Sequence, residues 1–151
     1  MFKNILLPTD GSEISEAAVR KGIQFAKAIN AKVTGLYVIP EPTAGDIWDV
    51  WSPGDTEEGR LFRKKFESRL ECVAENYLRI IEQIAGESGV ACESVYLKSD
   101  SPSDGILKVA KEKGCDLIFM ASHGRTGIRA MVGSVTLKVL SGSEIPVLVY
   151  R

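Results

Sequence analysis

The feature that most limits what this chain can become is an alternation repeated along its length. Five short apolar-rich runs, at residues 3–9, 31–39, 91–97, 116–121 and 146–150, are separated by stretches whose apolar residues recur every three or four positions. Runs this short read as strands, and the longer periodic stretches read as amphipathic helices over 13–29, 59–86, 102–113 and 133–141. Strands apolar at consecutive positions have no solvent face, so they belong in a sheet covered on both sides. The expectation is a single α/β domain over residues 1–151, with five parallel strands and right-handed crossovers.

Local signals fit this order. Asp10 or Ser12 can cap the first helix, Ser99 or Ser101 the third, and Gly114 ends the third. Glu57 and Glu58 with Arg60, Arg63, Lys64 and Lys65 read as a solvated helix start. Cys72, among the apolar residues of the long second helix, and Cys115, at the start of the fourth strand, read as packed thiols. Residues 41–58 carry six carboxylates and no Lys or Arg, yet include Trp48 and Trp51. That segment is an ordinary crossover with tryptophans on the sheet edge, a lid over a ligand, or a partner surface.

Composition narrows the classes of function. Nineteen basic against 20 acidic residues leave a net charge of −1. That argues against a general binder of nucleic acid. No apolar run approaches the length of a membrane span, and residues 1–4 give no basic lead into an apolar stretch. Three widely spaced cysteines without a CxxC motif point to neither zinc nor a disulfide framework, and to a reduced, cytoplasmic protein.

In open parallel sheets, ligands sit beyond the carboxyl ends of strands, where the strand order reverses. Two such ends stand out: Pro8-Thr9-Asp10-Gly11-Ser12 after strand one, and Ser122-His123-Gly124-Arg125-Thr126-Gly127 after strand four. If strands one and four are neighbours, both loops face one crevice. Met120 and Ala121 would end strand four at its floor. Gly124, Gly127 and Gly133 permit close backbone approach, and Gly133-Ser134-Val135 opens a helix whose first amides suit an anion. Between residues 117 and 143 there is no Asp or Glu, while Arg125, Arg129 and Lys138 are present. The spacing is not a Walker A loop, which needs a Lys before the Ser, nor the GxGxxG of dinucleotide binders. The competing reading is that the glycines serve turns alone.

Taken together, Ile5-Leu6-Leu7-Pro8-Thr9-Asp10-Gly11-Ser12, Ala121-Ser122-His123-Gly124-Arg125-Thr126-Gly127, Gly133-Ser134 and Ile145-Pro146-Val147-Leu148-Val149 resemble the universal stress protein family over essentially the whole chain. The resemblance implies a three-layer, Rossmann-like five-stranded sheet of order 3-2-1-4-5, usually dimeric. Its ATP-binding branch carries G-2x-G-9x-G-[ST]. By that resemblance, Asp10 would contact adenosine, the Val38 backbone would contact adenine, and Gly124, Gly133 and Ser134 would hold phosphates. Two departures stand out: Ala121 occupies the first motif glycine, and eight residues rather than nine separate Gly124 from Gly133.

Three readings follow. The first is a stress-response module binding ATP, ADP or AMP with Mg²⁺, through Pro8, Thr9, Asp10, Val38, Met120, Ala121, His123, Gly124, Arg125, Gly127, Gly133, Ser134 and Val135. Asp10 is a candidate metal contact, and its alternative role is a helix cap. No catalytic residue is assigned: His123, the single histidine, orders the loop or borders the nucleotide, and any hydrolysis is expected to be slow. The second reading is a dimeric scaffold without nucleotide, paired through the terminal strand at 146–150 with an unknown protein partner. The third is an FMN carrier, whose phosphate loop would follow strand one and be rich in Ser and Thr. Here that loop is short and brings two carboxylates, which repel phosphate.

Overall fold

A computed structural model describes residues 1–41, 56–124 and 131–151. Its elements, in order, are β1 (Asn4–Thr9), α1 (Glu13–Ile29), β2 (Lys32–Pro40), α2 (Glu57–Ser88), β3 (Cys92–Ser99), α3 (Pro102–Glu112), β4 (Leu117–Ala121), α4 (Ser134–Gly142) and β5 (Val147–Tyr150). The strands form one parallel sheet in the order β3-β2-β1-β4-β5. β1 therefore lies at the centre, and the order reverses between β1 and β4. A ligand crevice is expected there. The acidic stretch with Trp48 and Trp51 lies outside the described residues.

Strand alternation divides the core into two layers. Ile5 and Leu7 of β1, Val33 of β2 and Phe119 of β4 face α1 and α2, meeting Val19, Ile23, Leu78 and Ile81. Leu6, Leu36, Ile118 and Met120 face the other way, onto Ile106 and Val109 of α3 and Val139 of α4. The central strands are buried on both faces, as their continuous apolar runs require, whereas the outer strands β3 and β5 alternate.

Buried polar groups tie the lower end of the sheet together. Thr34 Oγ1 donates to Asn4 Oδ1 at 2.9 Å, and Asn4 Nδ2 donates to the Lys113 carbonyl at 3.0 Å. The Asp116 carboxylate accepts from the Lys3 and Asn4 amides at 2.7 and 3.0 Å, clipping the start of β1 to the approach of β4.

One sequence expectation is corrected. Cys72 is exposed rather than packed. The buried stripe of α2 runs Ala74, Leu78, Ile81, Ala85. Steps of four, three and four keep those residues on one face, and Cys72, two positions before the stripe begins, falls off it. Cys115 is buried, as expected. No helix among the described residues is long and apolar enough to cross a membrane.

Candidate nucleotide cleft

The first loop of the crevice is built by short side chains bonding to nearby backbone. Asp10 Oδ1 accepts from the Ser12 amide at 3.0 Å and from Ser12 Oγ at 2.6 Å. Ser12 is the N-cap of α1, its Oγ accepting from the Ser15 amide at 3.3 Å. Thus Ser12 caps the helix, and Asp10 holds the capping residue in place. Thr9 Oγ1 accepts from the Gly11 amide at 3.1 Å and lies 3.0 Å from Ser15 Oγ.

The second loop is anchored to the sheet. The buried Ser122 donates its amide to the Tyr150 carbonyl at 2.7 Å, and its own carbonyl accepts from the Gly133 amide at 2.7 Å. Thr136 Oγ1 donates to the Ala121 carbonyl at 3.0 Å. The start of α4 is therefore sewn to the end of β4. The N-cap of α4 is Gly133, which offers no side-chain hydrogen bond, whereas Ser12, Thr56 and Ser101 cap the other three described helices. The first-turn amides of a helix have no intrahelical partner, and they carry the positive end of its dipole. At α4 Gly133 supplies no side chain to take up that end.

The two loops meet at Gly124. A β-carbon there would press directly on Asp10 Oδ2, so position 124 needs glycine for close approach. Ser122 Oγ lies 2.9 Å from His123 Nδ1, which fixes the imidazole against the buried hydroxyl. Ala121 carries no left-handed strain, since among the described residues only Asn30 is a non-glycine with positive φ. Its methyl group costs the backbone nothing where the motif has glycine.

Between the loops is a cleft of about 360 Å³, within the range of small-molecule sites. Its walls include nine residues expected from the sequence: Pro8, Thr9, Asp10, Val38, Met120, Ala121, His123, Gly124 and Val135. Gly133 and Ser134 stand beside it at the mouth of α4, Ser134 exposed. Arg125, Gly127 and Arg129 lie outside the described residues. Sequence reasoning missed the apolar end, which is formed by Leu36, Tyr37 and Pro40 of β2 with Pro102 and Ile106 of α3. Ser15 and Thr136 were also missed. Those hydroxyls are buried in the first turns of α1 and α4, on the inward stripes with Ala18 and Val19 and with Val139, and a hydroxyl at an apolar-stripe position was the available signal.

The cleft is thus apolar at the β2–α3 end and polar at the β1–β4 end. Asp10 is the one acidic residue among its described walls. No cluster of His, Cys, Asp and Glu suited to a metal ion occurs among the described residues. Cys92 and Cys115 line none of this cleft, and burial pushes both thiols above their ordinary pKa.

Comparison with known proteins gives a consistent result. The model of the universal stress protein family matches residues 1–151. The universal stress protein MJ0577 of Methanocaldococcus jannaschii is 31% identical over 156 residues, covering 100% of this chain and 96% of its own length. Its solved structure superposes with a TM-score of 0.79 over 99% of this chain and 95% of that one. A universal stress protein in complex with cAMP shares the fold at 24% identity and TM-score 0.66, covering 99% and 97% of the two chains. So does one from Archaeoglobus fulgidus in complex with dAMP, at 19% identity and TM-score 0.63, covering 100% and 98%.

Proposed function

The chain belongs to the universal stress protein family, and from that premise we propose that the cleft between β1 and β4 binds an adenine nucleotide: ATP with Mg²⁺, or ADP or AMP. The observation that carries the proposal is the cleft's polarity. One end is a slot of Leu36, Val38, Pro40, Pro102 and Ile106, suited to a flat base. The other meets Gly124 and the start of α4, where the N-cap Gly133 brings no capping side chain, an end suited to phosphate. Val38 stands at the base end, and Asp10 borders the polar end beside Gly124, where it would meet a ribose hydroxyl or a phosphate-bound magnesium ion. Two proteins of the same fold holding cAMP and dAMP support an adenine nucleotide as the ligand.

Binding, rather than turnover, is the proposed activity. Among the described walls there is no lysine to clamp phosphates, and the single imidazole is engaged at Nδ1 by Ser122. Hydrolysis would be slow, and occupancy would act on conformation or on partner choice, in a cytoplasmic stress response. Isothermal titration with ATP–Mg²⁺ should give saturable heat that ADP competes away. Absence of both heat and competition would leave the assembly role alone.

Pairing of two copies is the companion proposal. β5 is an outer strand, and Leu148 on it is exposed, as are Leu137 and Leu140 on α4. The opposite outer strand, β3, instead carries Lys98 bonded to Glu71 at 2.9 Å, and Glu93 bonded to Lys113. Charged edges resist strand addition, so the β5 edge is the favoured contact.

A further inference from the structure

We infer that Tyr77, on a helix that contributes no described residue to the cleft, is a positioning residue for it: its ring props the Asp10 loop from beneath. The inference rests on the nucleotide reading above and assigns to that site a control point outside its walls.

The hydrogen bonds described within the loop are local. Thr9, Asp10, Ser12 and Ser15 bond to one another within a few residues. Such a unit keeps its own shape, and α2 places an aromatic ring beneath it. Gly11 turns the chain with φ of 76°, and the place where its β-carbon would stand lies within the ring of Tyr77. Any side chain at position 11 would be strained and would also collide with the ring.

The ring is itself held from the other side. Tyr37 of β2 stacks on it, centroids 5.5 Å apart and planes 12° from parallel. Tyr37 is the register partner of Thr9, the last residue of β1, and it lines the cleft. Tyr77 is therefore a wedge between the end of β2 and the turn carrying Asp10, while Ala74, Leu78 and Ile81 fasten α2 to the core around it. Removing the wedge leaves a ring-sized gap beneath Gly11. The Asp10 turn can then sink as a unit, carrying its carboxylate away from Gly124.

The experiment compares Tyr77→Ala, Tyr77→Phe and Leu78→Ala, the last a core residue of the same helix that lines none of the cleft. ATP–Mg²⁺ affinity is measured by calorimetry, and amide hydrogen exchange is followed over residues 10–12. Tyr77→Ala should bind roughly tenfold more weakly and exchange faster at residues 10–12. Tyr77→Phe, which keeps the ring beneath Gly11, should retain clearly more affinity and exchange protection than Tyr77→Ala. Leu78→Ala should melt at a lower temperature with unchanged affinity. Unchanged affinity in Tyr77→Ala overturns the inference. So does an equal loss in Leu78→Ala, which would make the effect general destabilisation, or in Tyr77→Phe, which would place it in the hydroxyl. If the parent protein itself binds no ATP, the nucleotide reading fails, and exchange at residues 10–12 alone decides whether Tyr77 holds the turn.

Discussion

Adding one methyl group at position 124 tests the meeting of the two loops more directly than any change of charge. The β-carbon of Gly124→Ala would fall against Asp10 Oδ2, while Oδ1 of the same carboxylate is held by the Ser12 amide and hydroxyl. The carboxylate cannot swing clear of the methyl without pulling Oδ1 off Ser12. Losing one charge-assisted hydrogen bond costs about 1.5–3 kcal/mol. The carboxylate borders an open cleft and regains water, so the lower figure applies. For a chain of this size about 1.5 kcal/mol lowers Tm by roughly 3–6 °C. Displacing the carboxylate at the polar end should weaken ATP–Mg²⁺ by about tenfold, near 1.4 kcal/mol. Scanning calorimetry and titration read the two effects, and a cycle with Asp10→Ala isolates the clash. Once the carboxylate is gone, the methyl should be tolerated, giving a coupling energy of about 1 kcal/mol. If the Tm and affinity of Gly124→Ala equal those of the parent, or the cycle is additive, the close approach of these loops is refuted.

Three further outcomes follow from features away from the cleft. Iodoacetamide should label the exposed Cys72 first and Cys92 and Cys115 much later, as read by mass spectrometry, because burial raises both slower thiols. The same shift has a pH signature: below the ordinary thiol value of 9.0 both states keep the proton. Above it the unfolded chain ionises first. Stability should therefore fall as pH climbs past that value, and Cys115→Ala should flatten the fall in a Tm–pH series. Leu148→Lys, which places a charge on the β5 edge, should convert a dimer to a monomer in light scattering. A parent protein that is already monomeric would remove the pairing proposal.

Much of the architecture was legible because the central strands obey a simple rule. Leu6, Leu7 and Ile118 are buried, as consecutive apolar residues in a covered sheet must be. Helix ends were legible where a short polar side chain or a glycine marks them: Ser12, Ser101 and Gly114 each stand where expected. The crevice was legible from its two loops, since both motifs lie in continuous sequence. Its apolar end was not. Pro102 and Ile106 reach Val38 only because α3 packs against β2, a relation between elements that no local pattern records. Cys72 misled for a related reason. Apolar residues are spread widely around α2, with Leu61, Phe62 and Val73 exposed, so spacing alone could not say which stripe the core would take. The Tyr77 contact was equally hidden, since Gly11 reads as a turn residue whether or not an aromatic ring lies beneath it.

The unlike margins of the sheet have a consequence for growth. If two copies zip together along the greasy rim, each uses up its own adhesive side and turns the guarded, ion-paired one outward. A third molecule then finds no template to extend. The same asymmetry that favours a couple thus forbids a fibre, and crowding should raise the share of pairs without seeding longer stacks.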